Sequence, residues 1–221
     1  MISSTLKPLR GLCLGVIAAL TLSGPAFAAA VSPDQVIKST TTAIQADITK
    51  NVSQYQANKA SFYKMVDTQI VPHFDTTYIA KVILGTHLKE ATPAQVAQFE
   101  AAFKDMLVHS YADKLLEYYD SVNVDVKPAR LTSDGKRATV DTTLNRKDGK
   151  PPIAVSFSMR DDNGEWKVWD IKAENISLVL NFRTQIDAEI KKSSIPAVIE
   201  RLNNGQIQAD VDHDGSADKK Q

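Results

Sequence analysis

The chain has 221 residues, with 26 basic and 26 acidic side chains and a single cysteine. Balanced charge supplies no basic field for a nucleic acid. One cysteine supplies neither an internal disulfide nor a thiolate metal set.

The N-terminus reads as an export signal. Lys7 and Arg10 precede an apolar stretch from Gly11 to about Leu22, Ser23-Gly24-Pro25 breaks it, and Ala26-Phe27-Ala28 has the small-x-small pattern of a cleavage site. The stretch is about a dozen residues, short of the roughly 20 that span a bilayer. Cys13 has Arg10 three residues before it, which does not fit a lipoprotein signal. Residues 1–28 are therefore expected to be removed, leaving a cysteine-free chain of about 193 residues with a charge of about −2. That length suits one domain with a sizeable core, over 29–205. A polar, acidic tail without stable structure is expected over 206–221.

Ser32-Pro33-Asp34 opens the first predicted helix with a serine N-cap, a first-turn proline and an acid at the positive dipole end. It is expected to reach about Lys50, with Val36, Ile37, Ile44 and Ile48 inward. A second helix is expected from about Tyr55 to Ile70 on a stripe of Phe62, Met65, Val66 and Ile70. Pro72 ends it by disfavouring helix at Val71. A short helix from about Asp75 to Leu84 should close at Gly85. The clearest helix begins at Thr92-Pro93-Ala94-Gln95, a capping box with a first-turn proline, and runs to about Tyr119. Its apolar positions, among them Phe99, Phe103, Met106, Tyr111 and Tyr118, exceed one narrow stripe, so it should touch two partners.

From Ser121 the period becomes two. Val122, Val124 and Val126 share one strand face; Ala138, Val140, Thr142 and Leu144 share another; Val155, Phe157 and Met159 follow the turn at Lys147-Asp148-Gly149-Lys150. Asp162-Asn163-Gly164 is a further hairpin turn. In the strand from Glu165 to Ile171, strict alternation places Trp166 and Val168 on one face and Trp169 and Ile171 on the other. Glu174-Asn175 turns the chain into a helix begun by Ser177, and a last short helix covers Ile195 to Leu202. The prediction is an α+β fold: one antiparallel sheet of about four strands over 121–172, with helices before and after it.

Reactive groups do not converge. There is no glycine-rich phosphate loop or nucleophile elbow, and the four histidines lack zinc-site spacing. His73 with Asp75 is a candidate acid–base pair. Asp170, between Trp169 and Ile171, is either a buried general base or a structural acid, paired with a lysine or arginine or hydrogen-bonded to backbone at a sheet end. Asp210, Asp212, Asp214, Gly215 and Asp218 match the start of a calcium loop, but Gln221 stands where the bidentate glutamate belongs. No metal, no cofactor and no catalysis are expected. What remains is apolar mass, which forms either a plain core or a cavity for an apolar ligand.

Two groups of motifs carry a family resemblance. One is Ile70-Val71-Pro72-His73-Phe74-Asp75, Val82-Ile83-Leu84-Gly85 and Thr92-Pro93-Ala94-Gln95, continuing to Phe99, Phe103 and Tyr111-Ala112. The other is Trp166-Lys167-Val168-Trp169-Asp170 with Ile176-Ser177-Leu178-Val179 and Asn181-Phe182-Arg183. In this order, over about Val31 to Gly205, they resemble the MlaC or toluene-tolerance auxiliary family of periplasmic phospholipid-binding proteins. The resemblance implies a fold like that of nuclear transport factor two, with a helical subdomain and a deep cavity for acyl chains. It also implies a carrier that shuttles phospholipid in the periplasm to maintain lipid asymmetry. The implied partners are a phospholipid, an outer-membrane lipoprotein–porin complex and an inner-membrane ABC transporter with mammalian-cell-entry domains. A monomer is expected. Asn175 stands after Glu174 where the family usually has glycine; asparagine tolerates left-handed backbone better than most residues.

On their apolar faces, Phe74, Tyr78, Ile79, Val82 and Ile83 of the short helix are candidate cavity residues. Phe103, Met106 and Leu107 of the long helix, and Val140, Val155, Phe157 and Trp166 of the sheet, complete the set. Lys81, Lys89 and Arg183 are candidate mouth charges. The alternatives are a small-molecule isomerase or lyase on the same fold, using Asp170 or His73, and a module that binds only protein partners.

Overall fold

The computed structural model describes residues 31–209. The expected signal segment and the calcium-loop-like stretch lie outside the described residues.

Helix starts follow the local chemistry. Helix α1 (Pro33–Ala57) is capped by Ser32, whose Oγ accepts the Gln35 N–H. It runs about two turns past the expected end near Lys50, because nothing between Asn51 and Ala57 breaks it. Asn58 makes the break and caps α2 (Lys59–Gln69), accepting the Ser61 N–H at 3.2 Å. The second helix thus begins after Tyr55, which belongs to α1. A 3₁₀ turn over Val71–His73 leads to α3 (Thr76–Leu84), capped by Asp75 and closed at Gly85. Helix α4 (Pro93–Tyr118) has the reciprocal bonds of its capping box: Gln95 N–H to Thr92 Oγ1 at 3.2 Å, and Thr92 N–H to Gln95 Oε1 at 2.9 Å. Helices α5 (Leu178–Lys192) and α6 (Ile195–Asn203) are capped by Ser177 and Ser194.

The sheet is antiparallel. Four long strands, β1 (Val122–Val126), β3 (Arg137–Arg146), β4 (Ile153–Asp162) and β5 (Glu165–Ala173), form its body. The two-residue strands β2 (Arg130–Leu131) and β6 (Ile176–Ser177) extend it, in the order β1-β3-β4-β5-β6 with β2 beside β3. Asn163 and Gly164, and then Glu174 and Asn175, adopt positive φ in the two hairpin turns. The left-handed backbone that Asn175 was expected to tolerate is therefore present, and Glu174 shares it.

Strict alternation fails at one place in β5. Ser158 pairs with Asp170 while Met159 pairs with Val168, so Trp169 is an extra, bulged residue. Past the bulge the faces exchange. Ile171 lies opposite Phe157 and joins Trp166 and Val168 on one face, while Trp169 and Asp170 point to the other. The expected placement of Ile171 with Trp169 is corrected by this bulge.

Three apolar clusters hold the layers. Helices α3, α5, α6 and the N-terminal half of α4 form a helical subdomain around Ile83, Leu84, Phe99, Ile186 and Val198, with Phe103 edge-on to Phe182 at 5.1 Å. The C-terminal halves of α1 and α4 enclose Ile48, Phe62 and Leu116 with α2. The sheet face with Ala138, Val140, Met159 and Val168 packs on Ile37 of α1. Helix α4 serves two clusters, which explains the breadth of its apolar surface. Ile207 and Ala209, inside the expected polar tail, are buried in the helical subdomain.

Candidate functional site: an apolar cavity between α1, α4 and the sheet

Helices α1 and α4 do not lie flat on the sheet. Between them and its inner face is a cavity of about 1220 Å³. One wall is Val36, Ile37, Thr40, Thr41, Ile44 and Gln45 of α1, three and four residues apart and so on one side of the helix. Tyr111, Lys114, Leu115 and Tyr118 of α4 form the second. Val122, Val124, Leu144, Ile153 and Phe157 of the sheet form the third, and Ile70, His73, Phe74 and Val168 the floor. The cross-strand pairs Val124–Leu144 and Leu144–Ile153 keep the sheet wall in register. Val122, Val124, Leu144 and Phe157 are only part-buried despite facing inward, and all four border the cavity.

Gln45 ties α1 across the opening. Its Nε2 donates to the carbonyl oxygens of Tyr119, at 3.2 Å, and Val122, at 3.5 Å. Charged groups of the wall gather at the end formed by the turn after α4 and the β3–β4 turn: Lys114, Asp120, Arg146, Lys147, Asp148 and Lys150. His73 is the ionisable group of the floor. Burial, and then Lys167, push its pKa below the ordinary histidine value, against a smaller opposite effect of Glu165.

Of the twelve cavity candidates, Phe74 and Phe157 line this wall. Val140, Val155 and Trp166 share its sheet face without lining it; Val140 is fully buried in the sheet cluster. Ile79, Val82, Ile83, Phe103, Met106 and Leu107 pack in the helical subdomain. Tyr78 lies edge-on to Trp169 at 5.8 Å, on the opposite face of the sheet. Ile44, Tyr111, Leu115, Val122, Val124 and Leu144 were absent from the candidate set. The one signal for them is that β1, an edge strand with an unbroken apolar face, must be covered by something. Lys81, Lys89 and Arg183 do not line the cavity.

The acid–base candidates are not assembled. Asp75 accepts the Tyr78 N–H at 2.9 Å and pairs with Arg160, so its carboxylate serves α3 and β4. Asp170 is 3% exposed and accepts the Val179 N–H at 3.1 Å, on the face away from the cavity. Among the described residues no group of three or more His, Cys, Asp or Glu side chains is placed to hold a metal, and no helix is long and apolar enough to cross a membrane.

An α+β shell around a large, mainly apolar cavity, charged at one end, defines a class of protein that can hold an elongated, apolar-tailed molecule. The chain belongs to the MlaC protein family, whose profile matches residues 38–204. It is 33% identical over 158 residues to the toluene tolerance protein ttg2D of Pseudomonas putida, covering 71% of this chain and 72% of that one. It is 21% identical over 182 residues to the intermembrane phospholipid transport system binding protein MlaC of Haemophilus influenzae, covering 81% and 85% of the two chains. Its fold is similar, with a TM-score of 0.71 and 25% identity, to that of the phospholipid-binding protein from Ralstonia solanacearum, solved in complex with a phospholipid. That match covers 79% of this chain and 98% of the other.

Proposed function

We propose that this protein is a non-enzymatic periplasmic carrier that encloses the acyl chains of a phospholipid in the cavity between α1, α4 and the sheet. The carrying observation is the cavity itself, a half-open, mainly apolar space of about 1220 Å³ between two helices and the sheet. Burial is worth about 0.8 kcal/mol per methylene, so a 16-carbon chain left in water forfeits roughly 12 kcal/mol. A lipid crossing an aqueous compartment needs such a shelter, and the shelter needs no nucleophile. The export signal in the sequence supports the compartment. The names of the Haemophilus and Ralstonia relatives support the ligand and the transport role. In this reading the carrier moves lipid between an inner-membrane ABC transporter with mammalian-cell-entry domains and an outer-membrane lipoprotein–porin complex.

The test is native mass spectrometry with solvent extraction on protein purified without detergent. Near-stoichiometric phospholipid is expected. Protein that is empty, and still empty after incubation with liposomes, would overturn the carrier reading.

A further inference from the structure

The charges at the cavity mouth are unequal in sign and in engagement. Four cations (Lys114, Arg146, Lys147 and Lys150) face two acids (Asp120 and Asp148) in the wall. The pairing of Val122 with Arg146, and the bond from Lys147 N–H to the Ser121 carbonyl at 3.0 Å, bring the β3–β4 turn against the turn after α4. The two ends of the rim are thereby fixed to each other.

Asp148 is already engaged. It takes the Arg146 fork, Nε to Oδ1 at 3.1 Å and Nη2 to Oδ2 at 2.8 Å, and the Lys150 N–H at 3.1 Å. These bonds hold its carboxyl below the ordinary aspartate range, the Arg146 hydrogen bond foremost. The lysines are held loosely. Lys150 Nζ is 3.9 Å from Asp148, and Lys114 Nζ is 3.6 Å from Glu117 and 5.7 Å from the centre of the Tyr118 ring. The Lys147 side chain has no acid within ion-pair distance among the described residues.

We propose that Lys114, Lys147 and Lys150 form a phosphodiester site at the mouth, selective for lipids whose headgroup carries net negative charge. The inference rests on the carrier reading. A phosphate that followed its acyl chains into the mainly apolar cavity would lose hydration that the few polar groups there replace only in part. It stops at the rim, where mobile ammonium groups supply point charges. A quaternary ammonium headgroup brings a cation to the same rim and is disfavoured.

The test offers delipidated protein mixed micelles of phosphatidylglycerol and phosphatidylcholine in equal amounts, with matched chains, and reads the bound lipids by native mass spectrometry. At about 50 mM salt, bound phosphatidylglycerol should exceed phosphatidylcholine about three- to tenfold, and the ratio should approach one at about 1 M salt, where the screening length is about 3 Å. The triple variant Lys114→Gln, Lys147→Gln, Lys150→Gln should load the same total lipid without preference. If that variant does not fold, Lys147→Gln alone should lower the ratio by about half or more. Wild-type protein that loads both lipids equally, or a folded triple variant that keeps the preference, overturns the rim assignment and leaves the carrier reading standing. Protein empty in every micelle overturns both. Inorganic phosphate carries the same anion, so it is titrated into delipidated protein. Saturable binding lost in the triple variant, with lipid choice unchanged, would make free phosphate the ligand and overturn the lipid assignment.

Discussion

The carboxylate of Asp170 accepts the backbone N–H of Val179 at 3.1 Å, joining the last long strand to the first turn of α5. The bulge at Trp169 makes this possible by turning Asp170 away from the cavity and toward the helix. With Ser177 accepting the Leu180 N–H at 3.1 Å, it satisfies two of the four free amides at that helix start. Asp170→Ala leaves a buried amide unpaired and should destabilise the protein by about 1–3 kcal/mol. Asp170→Asn retains an acceptor and should lose less. Denaturant midpoints check the order, and lipid loading of the folded fraction should be unchanged in both.

Gly85 closes α3 at φ 53° and ψ −118°, and a Cβ there would lie 2.9 Å from Arg183 Nε. Gly85→Ala should cost about 1–3 kcal/mol through the backbone, since the arginine tip can move aside. The double variant Gly85→Ala, Arg183→Ala separates the causes. Recovery of the melting temperature would place the cost in the clash; no recovery would place it in the backbone.

Two apolar sites should respond differently to enlargement. Ile44→Trp with Val124→Trp fills space in the cavity wall, so extracted lipid should fall at least about twofold while the melting temperature changes little. Val140 is fully buried, opposite Phe157, so Val140→Phe should instead destabilise by about 1–3 kcal/mol. Equal lipid loss at both sites, with folding intact, would contradict this division.

His73 gives stability a pH dependence whose sign is fixed by its lowered pKa. The folded protein holds the imidazole neutral, through burial and the nearby Lys167, below the pH at which the unfolded chain protonates it. Its contribution is complete above the unfolded value of about 6.5 and is lost as pH falls from there toward the folded value. Wild-type stability should therefore begin to decline below about pH 6.5, and His73→Gln should remove that first phase. A decline of the same size in His73→Gln would assign it to other groups. The depressed carboxylates Asp141, held chiefly by Arg130, and Glu189, held chiefly by Arg201, should add a second loss below the ordinary carboxylate range.

The sequence by itself determined the local elements. Ser32, Asp75, Thr92 and Ser177 start helices through bonds to amides three residues away, and such bonds need nothing from the rest of the fold. Alternating valines and threonines likewise set the inward face of β1 and β3. Where residues were missed, the deciding interaction was not local. Ile83 and Ile44 are both apolar residues on the inward side of a helix, yet one is sealed among Phe99 and its neighbours while the other, packed in part on the cluster around Phe62, also borders open cavity volume. Periodicity reports that a side chain leaves water; it does not report whether packed atoms or a cavity receive it. The Trp169 bulge is of the same kind, because its single extra residue is visible only against the register of β4. Tertiary structure decided the cavity, since only the standoff of α1 and α4 from the sheet separates a lining residue from a core residue.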